Sequence, residues 1–100
     1  SFVFQRRHVI ASGWTHLGIQ TVCRAGDGTW FFGCYGKPAV TLRTDDTFRF
    51  LGKHAFDSSV GIARAPGPGE LLVAKNVRSQ TDKRNTATVT TIRAATILEK

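Results

Sequence analysis

Two stretches of this chain carry the same order of residue types, and that restricts its fold more than any composition figure does. Phe2-Val3-Phe4 is matched by Phe48-Arg49-Phe50, and His8 by His54 at the same separation. Gly18-Ile19 is matched by Gly61-Ile62, and Gly26-Asp27-Gly28 by Gly67-Pro68-Gly69. Trp30-Phe31-Phe32-Gly33 is matched by Leu71-Leu72-Val73-Ala74, and Leu42-Arg43 can be laid against Ile92-Arg93. The offset is 46 residues at the start, then 43, then 41. Each copy reads as aromatic strand, His, loop, Gly-Ile strand, Gly-x-Gly turn, three large apolar residues and a small one. Self-similarity of this length means that one supersecondary unit occurs twice.

The unit is made of strands. Apolar and polar residues alternate, and no segment holds a helical period over three turns. Extended segments are expected from Phe2 toward Ile10, and over 17–24, 29–35, 39–44, 47–56, 60–65, 71–75 and 86–92. Residues 78–85 read as a polar loop, and 94–100 as a last strand or a short helix. Asp27-Gly28, Gly36-Lys37-Pro38, Asp45-Asp46, Ser58-Ser59 and Pro66-Gly67-Pro68-Gly69 punctuate them. Trp30-Phe31-Phe32 puts aromatics on both faces of a strand, as stacked sheets require. Gly33 and Ala74 then leave room for a close neighbour.

A repeat of ~40–45 residues holding four short strands is the period of a β-propeller blade. Asp27-Gly28-Thr29-Trp30-Phe31-Phe32-Gly33 resembles the strand entry of many propeller blades and is similar to the Asp-box of sialidase-type propellers. No Trp-Asp pair occurs, so the WD40 signature is absent. The resemblance implies one all-β domain over 1–100 with two four-stranded antiparallel propeller-like blades, about 1–46 and 47–100. A small β-barrel or sandwich is the alternative. Two blades do not close a ring, since rings take about 4–8. The chain is therefore expected either to assemble as a homo-oligomer, three copies giving six blades as in some small trimeric lectins, or to form part of a longer propeller.

Composition excludes some classes. With 41% hydrophobic and 21% charged residues, the 100-residue chain is neither disordered nor a membrane protein. No apolar run approaches the roughly 20 residues that span a bilayer. No apolar core follows Arg6-Arg7, so no signal peptide is expected there. A chain that opens on Ser1 and has no Met reads as a processed product or an excised piece. The net charge of +7 favours a polyanion, such as nucleic acid or an anionic glycan, as partner. The two cysteines, Cys23 and Cys34, read as free thiols or, in an oxidising compartment, as a disulfide between neighbouring strands. Zinc spacing is absent, and neither a metal nor a cofactor is expected.

The candidate ligand-binding residues are Trp14, His16, Arg7 and Lys53. Trp14 beside His16 can stack on a sugar or a base. Arg7 and Lys53 precede His8 and His54 at matching places and would line one rim of stacked blades. Asp45-Asp46 point apart in an extended chain, so they read as a turn and not as an acid–base pair. Asp57 before Ser58-Ser59 reads as a turn or cap. No Gly-x-Ser-x-Gly motif and no phosphate loop occur. The chain thus reads as a binding module for a glycan or a protein partner, with no catalytic residue assigned. The alternatives are a small basic nucleic-acid-binding protein or nuclease, using His8, His54, Lys53 and Arg7, and a C-terminal fragment of a larger propeller enzyme.

Overall fold

The computed structural model describes residues 3, 5–10, 18–78, 81 and 85–93, without the side chains of residues 77, 78 and 85. Among the described residues, seven strands form two antiparallel sheets and no helix occurs. β1 (Ile19–Arg24), β2 (Trp30–Cys34), β3 (Val40–Thr44) and β4 (Phe50–His54) form a four-stranded sheet in chain order. β5 (Gly61–Arg64), β6 (Glu70–Arg78) and β7 (Asn85–Arg93) form a three-stranded sheet, also in chain order. Each is a meander, because every connection within a sheet is short in sequence. Neither sheet closes into a barrel.

The all-β expectation holds, with differences in detail. The second sheet has three strands among the described residues, where two four-stranded sheets were expected. Residues 5–10 belong to no strand, although an extended segment was read toward Ile10. β6 and β7 pair over nine residues each, so the polar stretch 78–85 is trimmed at both ends by strand. Thr, Val and Ile fill β7, and their branched side chains suit a long extended ladder. The segment 94–100 lies outside the described residues.

Strand parity gives the first sheet two faces. Trp30, Phe32 and Cys34 share one face with Leu42 and Val40, their neighbours across the ladder. Phe31 and Gly33 share the other with Cys23, Thr21, Arg43 and Thr41. Both faces are buried. The first packs Phe32, Cys34, Val40 and Leu42 beneath Ile10, Trp30 and Phe48. The second packs Cys23, Ala25 and Phe31 against Leu71 of the second sheet, with Phe56, Ile62 and Ile92 around them. Burial of one such large apolar side chain stabilises by about 1.5–3 kcal/mol. Cys23 and Cys34 therefore lie on opposite faces, and both thiols are free and buried. Burial pushes both thiols up, Arg64 drawing Cys23 partly back.

The two sheets meet along β1 and β5, the first strand of each. Between them runs the connection after β4. Its Ser58 is fully buried, and the Ser58 carbonyl accepts the Thr21 hydroxyl at 2.8 Å. Thr41 donates to the Phe56 carbonyl at 2.8 Å, and its Oγ1 lies 2.8 Å from Ser58 Oγ. The connection thus passes directly over Gly33, whose hydrogen leaves the space that a Cβ would take from Thr21 Oγ1 and the Ser58 carbonyl. Gly33 was expected to permit a close approach, and the approaching chain is this connection.

One turn device recurs three times. Asp27, Asp45 and Asp57 each stand two residues before a Thr or Ser, and each accepts both its backbone N–H and its hydroxyl on Oδ1. This local bonding fixes the turn without help from the core. At Asp45 the N–H of Arg49 also donates to Oδ1, at 2.9 Å. Phe48 inside that turn has φ 68°, and its ring lies 5.3 Å from Trp30 and 4.5 Å from His8. The turn accordingly aims Phe48 onto the first face. Donation from the Arg49 N–H, then from Thr47, lowers the Asp45 carboxyl to about 2. Its ordinary value is near 3.9, so its contribution to stability is complete above that pH and is lost as pH falls toward 2. Carboxyl-carbon NMR is expected to place the Asp45 midpoint near 2, and Thr47→Val to raise it. A midpoint near 4 would contradict the bonded turn.

Candidate functional site

Away from the β1–β5 contact the sheets separate, and a groove of about 850 Å³ opens between them. Its floor is Phe56, Val73 and Ile92. His54, Asp57 and Lys75 stand around that floor, and Arg93 borders one end. The elements dictate the arrangement. His54 ends β4 and pairs with Thr41, so parity puts it on the face turned toward the second sheet. Lys75 lies two residues past Val73 on β6, hence on the face turned toward the first sheet. Asp57 is held on the connection by its bonds to Ser59, at 2.9 Å to the N–H and 2.6 Å to the hydroxyl. Imidazole, carboxylate and ammonium thus come from three separate elements onto one apolar floor. A groove with an apolar base and a few polar groups is the usual form of a small-ligand site.

A second polar cluster, nearer the core, has a different character. Arg43 is fully buried, the largest side chain to be so among the described residues. Its Nη2 donates to Asp27 Oδ2 at 2.7 Å, its Nε donates to Thr29 Oγ1 at 3.1 Å, and its Cζ lies 4.7 Å over the Phe31 ring. Burial pushes the Asp27 carboxyl up, but donation from Thr29 and the Arg43 guanidinium outweigh it and leave the carboxyl below its ordinary value. Burial lowers Arg43 in turn, against the pull of Asp27. The bonds from Arg43 on β3 to Asp27 and Thr29 brace the turn before β2 against β3.

The four residues singled out in the sequence do not converge here. Trp14 and His16 lie outside the described residues. Arg7 is exposed on the segment before β1. Lys53 is exposed on β4 and pairs with Leu42, on the face opposite the groove. His8 stacks on Phe48, and His54 lines the groove, so the two histidines that match in sequence have different neighbours. Asp45 and Asp46 do not work as a pair: Asp45 holds its own turn, and Asp46 meets Arg24 at 3.2 Å. Sequence reasoning passed over Asp57, Lys75, Arg93 and the apolar floor as ligand contacts. Their positions depend on how two sheets splay, and no local motif encodes that angle. Among the described residues no group of three His, Cys, Asp or Glu is placed to hold a metal ion.

Comparison with protein-family models, with curated proteins and with solved structures gives no match to this chain.

Proposed function

We propose that this chain is a binding module of two adjacent propeller-type blades, and that a saccharide is what it binds in the groove between them. The observation that carries this reading is the groove itself. The first strands of the two sheets lie together, and the later strands part around an apolar floor ringed by His54, Asp57 and Lys75. A fan of sheets joined at their first strands is the geometry that stacked blades take around an axis. A sugar ring offers an apolar face to Phe56, Val73 and Ile92, and hydroxyls to the carboxylate, imidazole and ammonium at the margin. The net charge of +7 favours an anionic sugar over a neutral one.

The test is titration of wild-type protein with neutral and anionic oligosaccharides, repeated with Lys75→Ala and with Thr90→Trp, which fills the groove from β7. Binding is expected to weaken at least about tenfold in each variant, the scale of one lost charged contact. Affinity that ignores both substitutions, or no saccharide binding at all, would overturn the reading.

One observation favours a second reading. His54, Asp57, Lys75 and Arg93 around one groove are the groups that general acid–base cleavage of a phosphodiester needs. Cleavage of single-stranded RNA that His54→Ala abolishes would support a nuclease. Affinity for RNA falling steeply with salt, without cleavage, would support a nucleic-acid binder.

A further inference from the structure

The sheet face that floors the groove continues beyond it. β5 starts at Gly61, opposite Ala74. Past that pair β6 and β7 run on together as a two-stranded ribbon, residues 75–78 against 85–88. Burial falls along the groove face in the same direction. Leu71 is fully buried and Val73 is 8% exposed, whereas Lys75 is exposed. On β7, Ile92 is half-buried, and Thr90 and Thr88 are exposed. The face thus emerges from beneath the first sheet at Val73.

Its chemistry changes on the way out. Thr90 stands opposite Val73 and Thr88 opposite Lys75, so parity puts all four on one face. Thr90, Val73 and Lys75 line the groove, and Thr88 extends that lining onto the ribbon. From Ile92 to Thr88 the face runs about 14 Å, at ~3.4 Å of rise per residue, and its two threonines stand about 7 Å apart. The first length exceeds one sugar ring, and the second is on the scale of one sugar unit in a chain. The inner end, at Ile92 and Val73, is apolar. The outer end offers two hydroxyls, which donate and accept, and an ammonium, which donates three ways. The carboxylate at the groove, Asp57, gives its Oδ1 to Ser59.

We propose that the ligand is a stretch of a linear acidic polysaccharide, with one unit seated in the groove and the following units crossing the Thr88–Lys75 pair on the ribbon. The proposal rests on the saccharide reading above and adds that the ligand is a chain rather than a single sugar. The sugar in the groove lays its apolar face on Val73 and Ile92. The next unit meets Thr90 and Thr88 with its hydroxyls and Lys75 with its carboxylate. The net charge of +7 favours an acidic chain over a neutral one. Contacts strung along one face add up only for a ligand long enough to reach them together, so affinity grows with chain length. The other face of the ribbon, where Asn76 stands opposite Ala87, takes no part.

The experiment is calorimetric titration of wild-type protein with digalacturonate and hexagalacturonate, repeated with Thr88→Asp, Thr88→Lys and Ala87→Asp. Affinity is expected to rise at least about tenfold from the short chain to the long one. Thr88→Asp is expected to remove that gain by like-charge repulsion and Thr88→Lys to enlarge it, with digalacturonate affinity unchanged in both. Ala87 is exposed on the same strand. Ala87→Asp puts the same charge on the ribbon's other face, and screening at physiological salt is expected to hold its effect within about twofold. A variant that tightens binding is folded, so the opposite signs at Thr88 separate a lost contact from a lost fold. Equal affinity for both chain lengths, or a hexagalacturonate affinity that ignores both Thr88 substitutions, would overturn the proposal and leave the saccharide reading standing. No binding of any saccharide would overturn both. Single-stranded RNA bound at Thr88, with no affinity for hexagalacturonate, would overturn it in favour of a nucleic acid.

Discussion

Alanine at Gly33 is expected to destabilise the protein by about 3 kcal/mol, the upper end for overpacking a filled site. The added methyl would overlap Thr21 Oγ1 and the Ser58 carbonyl. Neither can yield cheaply. Thr21 is tied to both strands it serves, since it accepts the Gly33 N–H at 3.1 Å while donating to Ser58. Ser58 is part of the backbone that joins the two sheets, and moving it would also part Thr41 from Phe56 and Ser58. Gly61→Ala is the comparison, because its nearest neighbour is the Ala74 methyl at 3.3 Å, a contact that a few tenths of an ångström relieves. Urea denaturation should show a large fall in midpoint for Gly33→Ala at unchanged slope, and a small one for Gly61→Ala. Equal effects would mean that the connection does not press on Gly33.

Asp27→Asn is expected to cost more than Arg43→Met, about 3 kcal/mol against about 1 kcal/mol or less. The order follows from where each partner sits. Arg43 is fully buried, and Asp27 keeps 44% of its side-chain surface in water. Neutralising Asp27 takes the carboxylate from a buried guanidinium that also meets the Thr29 hydroxyl and the Phe31 ring. Removing the guanidinium leaves a carboxylate that water can solvate and that Thr29 still bonds, while methionine fills much of the space. The half-exposed carboxylate keeps the first figure at the low end of the range for a broken buried pair. Asp27 lies below its ordinary carboxyl value. Its contribution is therefore present above the unfolded value near 3.9 and lost as pH falls below it, and the Asp27→Asn deficit should shrink in the same window. The reverse order of stabilities would show that the pair matters less than the volume of Arg43.

The predictions share a physical cause: both sites are places where two elements distant in sequence press on one residue. Their types were visible beforehand. A small residue after three large apolar ones marked Gly33 as a point of close approach, and Asp27-Gly28-Thr29 marked a turn. The approaching chain was not visible. Gly33 was read as making room for a neighbouring sheet, and it makes room for the connection at Ser58, because the step from β4 to β5 must cross between the sheets to reach their inner edge.

Local chemistry in the sequence determined the strands and the turns. Alternation puts Phe32 on one face of β2 and Phe31 on the other, whatever covers them. Asp-x-Thr and Asp-x-Ser bond within three residues, so Asp27, Asp45 and Asp57 make turns in any setting. The tertiary structure decided the rest. It buried Arg43, because Asp27 and Thr29 bond it from the turn before β2. It put Lys53 on the far face of β4 and brought His54, Asp57 and Lys75 to one groove, because these residues meet only through the angle between two sheets. That angle is set by how Leu71 packs on Phe31 and Cys23 and by Ser58 wedged between β1 and β3. It is a property of the packed pair, and no single stretch of the chain carries it.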